Sequence, residues 1–225
     1  MFETEDALVD NFVETTDPSY WTRSGKGDFV RSVFESDCSD GRADWVWARS
    51  TRRWPRNWCD QTVEVMQNPT CSRVLACLRL SSPRTEKFLR DKLGVGDQTF
   101  RTAVSNLISA KLIRQTSDEL YLLTPKLNLP DVEICAFEFK LVNWKRAFFQ
   151  ATRYRSFAHR VYVVLPTQVI DRTEKLWDSF RMQNIGLIAH DLENGTRRIL
   201  PSRKRSPRSR SNFLQALGMI HQWSN

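Results

Sequence analysis

No apolar run in this chain approaches the ~20 residues that a membrane-spanning helix needs, so no membrane partner is expected. The start, Met-Phe-Glu-Thr-Glu-Asp, is acidic and carries neither the basic nor the apolar region of a secretory signal. Histidine is scarce, with three residues, and the five cysteines (Cys38, Cys59, Cys71, Cys77, Cys135) include no Cys-x-x-Cys pair. An odd cysteine count without a histidine cluster argues against a disulfide scaffold and against a zinc ribbon. It predicts a reducing, cytoplasmic compartment, nucleoid-associated if the source is prokaryotic.

What is present is ordinary in amount and uneven in placement. Hydrophobic residues make up 40% and charged residues 27% of the 225, the proportions of a globular protein of one large or two small domains. The net charge of +8 is asymmetric: residues 1–44 hold eleven acids against four bases, while the remainder holds thirty bases against fifteen acids. An acidic start and a basic body point to a polyanion partner, and DNA is the candidate.

Periodicity predicts the elements. Leu8, Val9, Phe12 and Val13 form a helical stripe from Glu5 to about Thr15. Asp28–Ser36 and Ala43–Trp47 read as strands joined by a turn at Cys38–Gly41. The Arg- and Trp-rich stretch from Arg49 to Trp58 (Arg52, Arg53, Trp54, Arg56) reads as a connector.

Between about Cys71 and Thr124 three helices and a hairpin follow. The first carries Val74, Leu75, Leu78 and Leu80. The second is capped by Thr85, with Phe88, Leu89 and Leu93 inward. The third is capped by Asp97, with Phe100, Ala103, Val104, Leu107 and Leu112 inward. Ile113–Gln115 and Leu120–Leu123 make the hairpin. This block resembles a winged helix-turn-helix module.

Beyond Pro130 the pattern alternates. Strand Val132–Lys140, helix Asn143–Phe157, strand His159–Leu165, helix Thr167–Met182 and strands Asn184–Asp191 and Thr196–Leu200 are expected. A basic loop, Ser202–Ser211, and a last helix from Asn212 to about Trp223 complete the chain.

Glu138 and Lys140 lie two apart on a strand and therefore on one face. With the block from about 59 to 127 set aside, the order of elements, Asp44 on the second strand, Glu138-Phe139-Lys140 on the third and Gln150…Tyr154 on the next helix resemble the PD-(D/E)XK nuclease superfamily, RecB-like branch. Ala43 stands where the family has Pro. Pro130-Asp131 spells that dipeptide, but it lies seven residues before Glu138 on the same strand. The family's two acids sit on adjacent strands, so Asp44 is preferred.

The resemblance implies an α/β, restriction-endonuclease-like fold: a central mixed sheet flanked by helices, with an inserted winged helix-turn-helix domain. Its parts are a first core segment (1–58), the insert (59–127) and a second core segment (128–225). It also implies a Mg²⁺-dependent (or Mn²⁺-dependent) DNA endonuclease. Asp44 and Glu138 would hold the metal, Lys140 would orient or deprotonate the attacking water, and Gln150 and Tyr154 would hold the metal shell or the scissile strand. Glu5, on the first helix, would add a further carboxylate. A homodimer would supply the two sites needed to cut both strands.

DNA contacts are expected from Gln98, Thr99, Arg101, Thr102 and Ser105 on the third helix of the insert, whose polar side chains suit the major groove. Tyr154 and the loop residues Arg203, Lys204 and Arg205 join them, the loop either contacting phosphates or being disordered. The alternative reading is a non-catalytic DNA-binding regulator or assembly subunit on a degenerate nuclease core.

Overall fold

The computed structural model describes residues 2–17, 20–21, 29–38, 41–51, 58–116 and 118–222. Asp28, residues 39–40 of the expected turn, Arg52, Arg53, Trp54, Arg56 and Trp223 lie outside them. In chain order the elements are α1 (Glu5–Thr15), β1 (Phe29–Cys38), β2 (Gly41–Ser50), α2 (Asp60–Gln67), α3 (Pro69–Cys77), α4 (Glu86–Leu93), α5 (Asp97–Ser109), β3 (Ile113–Gln115) and β4 (Tyr121–Leu123). Then come β5 (Val132–Phe139), α6 (Trp144–Tyr154), β6 (Arg160–Pro166), a 3-10 segment (Thr167–Leu176), α7 (Trp177–Gln183), β7 (Ile185–Asp191), β8 (Gly195–Leu200) and α8 (Arg210–Gln222). The chain divides into two compact units, Met1–Thr51 with Val132–Arg208, and Arg52–Asp131 with Ser209–Asn225.

The first unit is a six-stranded mixed sheet in the order β1-β2-β5-β6-β7-β8. Neighbours are antiparallel from β1 to β5, parallel from β5 to β7, and antiparallel again at β8. On β5 the period-two alternation sends Cys135, Phe137 and Phe139 to one face, where they join Phe2, Leu8 and Phe12 from the α1 segment and Trp21, Trp45 and Trp47 in one aromatic core. The other face meets α6, which buries Ala147, Phe148, Ala151 and Tyr154 along one stripe. Thr4 caps α1 by accepting a hydrogen bond from the Ala7 amide at 3.1 Å, and Glu5 and Asp6 suit the positive end of its dipole.

His190 on β7 ties α1 to the sheet: its ring nitrogens lie 2.9 Å from Asn11 Oδ1 and 2.8 Å from Thr196 Oγ1. Burial lowers its pKa. Gly186 is required by close approach, since a Cβ there would sit 2.3 Å from the Tyr162 ring.

The helix expected over Thr167–Met182 is divided. Its first part is 3-10, where the Thr173 hydroxyl bonds back to the Ile170 carbonyl and β-branched Thr167, Val169, Ile170 and Thr173 disfavour an α-helix.

In the second unit the sequence pattern misses α2. It also starts α3 two residues late: Asn68 is the N-cap, accepting from the Thr70 and Cys71 amides, with Pro69 first in the helix. Leu80 lies beyond α3 and is exposed, as is Phe88 on α4, whose ring is covered by Arg84. Asp97 does not cap α5; Gly96 occupies that position and Asp97 pairs with Arg90.

The last helix is a correction to the expected division of the chain. α8 packs on α2 and α3 rather than with the sheet. Gln215 Nε2 donates to Ser72 Oγ at 2.7 Å, and the ring of Trp58 lies 5.5 Å from that of His221. Residues 209–225 therefore belong with the helical unit.

Candidate functional site

The register of β2 on β5 ends at Trp45↔Phe137, and continuing it by one residue sets Asp44 across from Glu138 on the α6 face. Beyond that point β2 stays paired only with β1. The Phe139 amide, which the ladder would have matched with a β2 carbonyl, instead donates to Asp44 Oδ2 at 2.7 Å. Tyr154 fills the resulting gap. Its hydroxyl lies 2.6 Å from the Arg42 carbonyl on β2 and 2.5 Å from Glu138 Oε2 on β5.

Lys140 gathers the carboxylates. Its Nζ is 3.0 Å from Glu5 Oε2, 3.1 Å from Glu138 Oε1 and 3.8 Å from Asp44 Oδ2. The Glu138 contact lies off the hydrogen-bonding direction, so Oε1 is buried without an aligned donor. Gln150 Oε1, one turn before Tyr154 on the same face of α6, is also buried with no partner. Among the described residues no three His, Cys, Asp or Glu side chains form a metal-binding group on their own.

Burial, and after it the neighbouring Asp44, raise Glu138, which is 0% exposed, to about 7 against the opposing Tyr154 and Lys140. Burial raises Asp44 as well, against the Phe139 amide and Lys140. Burial works against the Lys140 ammonium, but Glu138, Asp44 and Glu5 outweigh it and hold its pKa above the usual value. A hydrogen count agrees with a protonated Glu138. Tyr154 has one proton and the Arg42 carbonyl can only accept, so both contacts are satisfied when the Glu138 carboxyl donates to the phenol oxygen.

An open cleft of about 590 Å³ borders the site, lined by Glu5, Asp6, Asp10, Glu35 and Asp44 with Val9 and Phe34. Five carboxylates around one cavity favour cations and repel a phosphodiester until cations are bound.

The structure thus brings Asp44, Glu138, Lys140 and Glu5 together; Gln150 lies one turn before Tyr154 on α6 and touches none of them by hydrogen bond. Tyr154 is a correction: at 1% exposure it holds Glu138 and the Arg42 carbonyl and does not reach a nucleic-acid surface.

On α5 of the other unit, Gln98, Thr99, Arg101, Thr102 and Ser105 are all exposed, opposite buried Phe100, Ala103, Val104 and Leu107. Gln98, Thr99 and Thr102 line a hollow of about 260 Å³ with Asn68 and Thr70, while Arg101 and Ser105 line a second with Glu86 and Tyr121.

The basic loop, for which phosphate contact or disorder was expected, has an anchored backbone. Arg203 N donates to Asn184 Oδ1 at 2.9 Å, Arg205 N to the His159 carbonyl at 3.1 Å and Arg208 N to the Arg155 carbonyl at 2.9 Å. Lys204 turns toward Glu133, at 3.6 Å. Glu133 is a buried carboxylate also bonded by Arg49 at 3.0 Å and Arg160 at 2.5 Å. Burial pushes Glu133 upward, but Arg160 and Arg49 outweigh it and hold it below its usual value. Neither this cluster nor buried Arg155 was foreseen; a lone acid at a strand start and an arginine at a helix end carry no spacing signal.

No family model, curated protein or solved structure matches this chain.

Proposed function

We propose that this chain is a divalent-metal-dependent deoxyribonuclease of the PD-(D/E)XK type, hydrolysing phosphodiester bonds in DNA with Mg²⁺ or Mn²⁺. The observation that carries the reading is the convergence of Asp44, Glu138 and Lys140 where β2 and β5 part, with Glu138 Oε1 buried and paired only with the Lys140 ammonium. Hard oxygen donors of this kind suit Mg²⁺, and the residues that would hold it are Asp44 and Glu138. When bound, such an ion lowers the pKa of its water and neutralises charge on the transferring phosphoryl group.

The protein's own groups divide the remaining work. Tyr154 fixes the Glu138 carboxyl, and the Phe139 amide fixes Asp44. Glu5 holds the Lys140 ammonium, whose raised pKa keeps it charged. Lys140 therefore suits orienting a water or phosphate oxygen by donation better than removing a proton.

Supercoiled plasmid, linear duplex and branched DNA incubated with Mg²⁺, Mn²⁺ or EDTA test the reading. Cleavage is expected only with metal, and Lys140→Ala is expected to lower its rate by about 100-fold or more. Cleavage that persists in EDTA, or that Lys140→Ala leaves unchanged, overturns it. Tight DNA binding without cleavage under any metal supports the non-catalytic regulator instead.

The helices α3, α4 and α5 with the β3–β4 hairpin serve, in this reading, as a winged helix-turn-helix module with α5 as its recognition helix. Arg101 is the full positive charge among the exposed polar side chains of α5. Arg101→Ala is expected to weaken DNA binding by about 1–3 kcal/mol if the contact is bidentate to a base. Titrations on several sequences at two salt concentrations check this: loss on one sequence means base readout, and a uniform loss with a smaller salt slope means phosphate contact. No loss on any DNA means that this face meets a protein.

A further inference from the structure

From Lys140 to Ile170 the chain holds no acidic residue. The helix in that stretch, α6, is capped by Asn143, which accepts from the Arg146 amide at 3.1 Å, and turns Ala147, Phe148, Ala151 and Tyr154 inward. Helical spacing sets Lys145, Arg146, Phe149 and Arg153 together on the outward side, and all four are exposed. A solvated helix face commonly balances its bases with acids one turn away. Elsewhere in this chain α4 pairs Glu86 with Arg90, and α7 pairs Asp178 with Arg181. On α6 none of the three outward cations enters an ion pair among the described residues. Among them stands Phe149, 69% exposed, which meets the ring of its neighbour Phe148 at 6.0 Å between centroids.

This face borders the carboxylate site. Lys140, which meets Glu138 and Asp44, lies four residues before the first turn of α6, and Tyr154 reaches Glu138 from the inward side of the same helix. Arg153 lies along the end of β2: a Cβ added at Gly41 would sit 3.8 Å from Arg153 Cδ, next to the Arg42 carbonyl that accepts from Tyr154. The cleft on the α1 side of the site is lined by Glu5, Asp6, Asp10 and Glu35, which repel a polyanion. The outward face of α6 presents the opposite sign beside the same carboxylates.

We propose that the outward face of α6 binds an unpaired strand of DNA beside the carboxylate site, Lys145, Arg146 and Arg153 taking backbone phosphates and Phe149 stacking on a base. This rests on the nuclease reading and narrows its substrate to DNA with single-stranded character near the cut. Charge complementarity selects a polyanion, and the aromatic ring selects the unpaired form. In a duplex the base faces are stacked on one another, so an outward ring meets only groove edges and phosphates. A single strand offers its base faces to such a ring, and cations beside it track the backbone. From Arg146 to Arg153 the helix rises roughly 10 Å, the span of about three stacked nucleotide steps. Neither contact reads sequence.

The test measures binding of an oligonucleotide of mixed sequence, single-stranded and as its duplex, to the full chain in EDTA over a range of salt. The proteins are the parent, Phe149→Ala, Phe149→Trp and Arg146→Ala/Arg153→Ala, with melts to confirm folding. Phe149→Ala is expected to weaken single-strand binding by about 10-fold at an unchanged salt slope, since stacking releases no counterions. Duplex binding by the same variant should stay at the parental value. Phe149→Trp keeps a stacking ring and should bind the single strand at least as tightly as the parent. The arginine double variant should lose about 1.4 from the slope of log K against log salt, the share of two phosphates on a single strand.

Parental single-strand affinity in both Phe149→Ala and the arginine variant overturns the surface. An equal loss on duplex and single strand in Phe149→Ala overturns the stacking on an unpaired base. Self-association of the parent by sedimentation that Phe149→Ala abolishes, with DNA binding unchanged, overturns it in favour of a second copy of the chain. Cleavage by the parent with Mg²⁺, scored in parallel, separates the failures. A parent that cuts DNA while the variants bind normally refutes the α6 surface alone. A parent that neither binds nor cuts DNA refutes the nuclease reading with it.

Discussion

Glu138→Gln is expected to abolish metal-dependent cleavage while leaving DNA binding measurable, and to flatten the dependence of stability on pH. Glutamine keeps the shape of the side chain and an N–H for the Tyr154 oxygen, but it cannot offer a carboxylate to a divalent cation. A loss of about 100-fold or more in rate is expected.

The pH effect follows from linkage. Burial, then Asp44, raise Glu138 to about 7 from the ordinary 4.5. Between those values the folded chain holds a proton that the unfolded chain has lost, so stability is full below about pH 4.5 and falls as pH rises through about 7. Each unit of separation is worth on the order of 1.4 kcal/mol. Glutamine never ionises, so the variant loses that slope except for the part from Asp44, which is raised in the same direction. In metal-free buffer above pH 7 the variant should therefore melt higher than the parent. Mg²⁺ should restore the parent selectively, because it binds the ionised carboxylate. Melts at pH 5 and 8, with EDTA and with Mg²⁺, check the linkage; an unchanged slope, or a variant that cuts at the parental rate, counts against the site.

Phe12→Ala is expected to cost about 3–5 kcal/mol. Phe12 is fully buried, and its ring centroid lies 5.3–6.2 Å from those of Trp21, Trp45, Phe137, Phe139 and His190. Nothing nearby can collapse into the volume it leaves without breaking those pairings. Against a total of about 5–15 kcal/mol for a domain, that is a large fraction. The same helix carries Glu5, which holds Lys140, so the variant should also lose activity below the temperature at which the sheet unfolds. Denaturant titration measures the first effect and cleavage rates the second. A cost under about 1 kcal/mol, the size of an ordinary surface substitution, would mean that α1 is not anchored through this ring.

Local pattern carried much of this structure. The α1 stripe predicted Glu5–Thr15, and the alternation through Phe137, Glu138, Phe139 and Lys140 placed the acid and the core aromatics on opposite faces. Phe100, Ala103, Val104 and Leu107 of α5 face inward and its polar residues outward, with Ile108 the exposed exception. Such features depend on neighbours two to four positions away, which the sequence displays directly. Elements without a strong period were missed or misplaced: α2 has no side-chain cap to mark it, the first turn of α3 is set by the Asn68 cap with Pro69, and the 3-10 segment by threonine back-bonding.

What the sequence determined by itself is the type of each strongly periodic element and the face that each side chain takes on it. The tertiary structure decided which faces meet. Glu5 lies 135 residues from Lys140, and Asp44 lies 95 from the Phe139 amide. The parting of β2 from β5 makes room for Tyr154: helical spacing sets it on the buried stripe of α6, but not between Glu138 and the Arg42 carbonyl. Pairing α8 with α2 and α3 likewise depends on distant segments. Periodicity is a property of adjacent residues, whereas a charge's partner is chosen by whichever backbone the fold brings beside it.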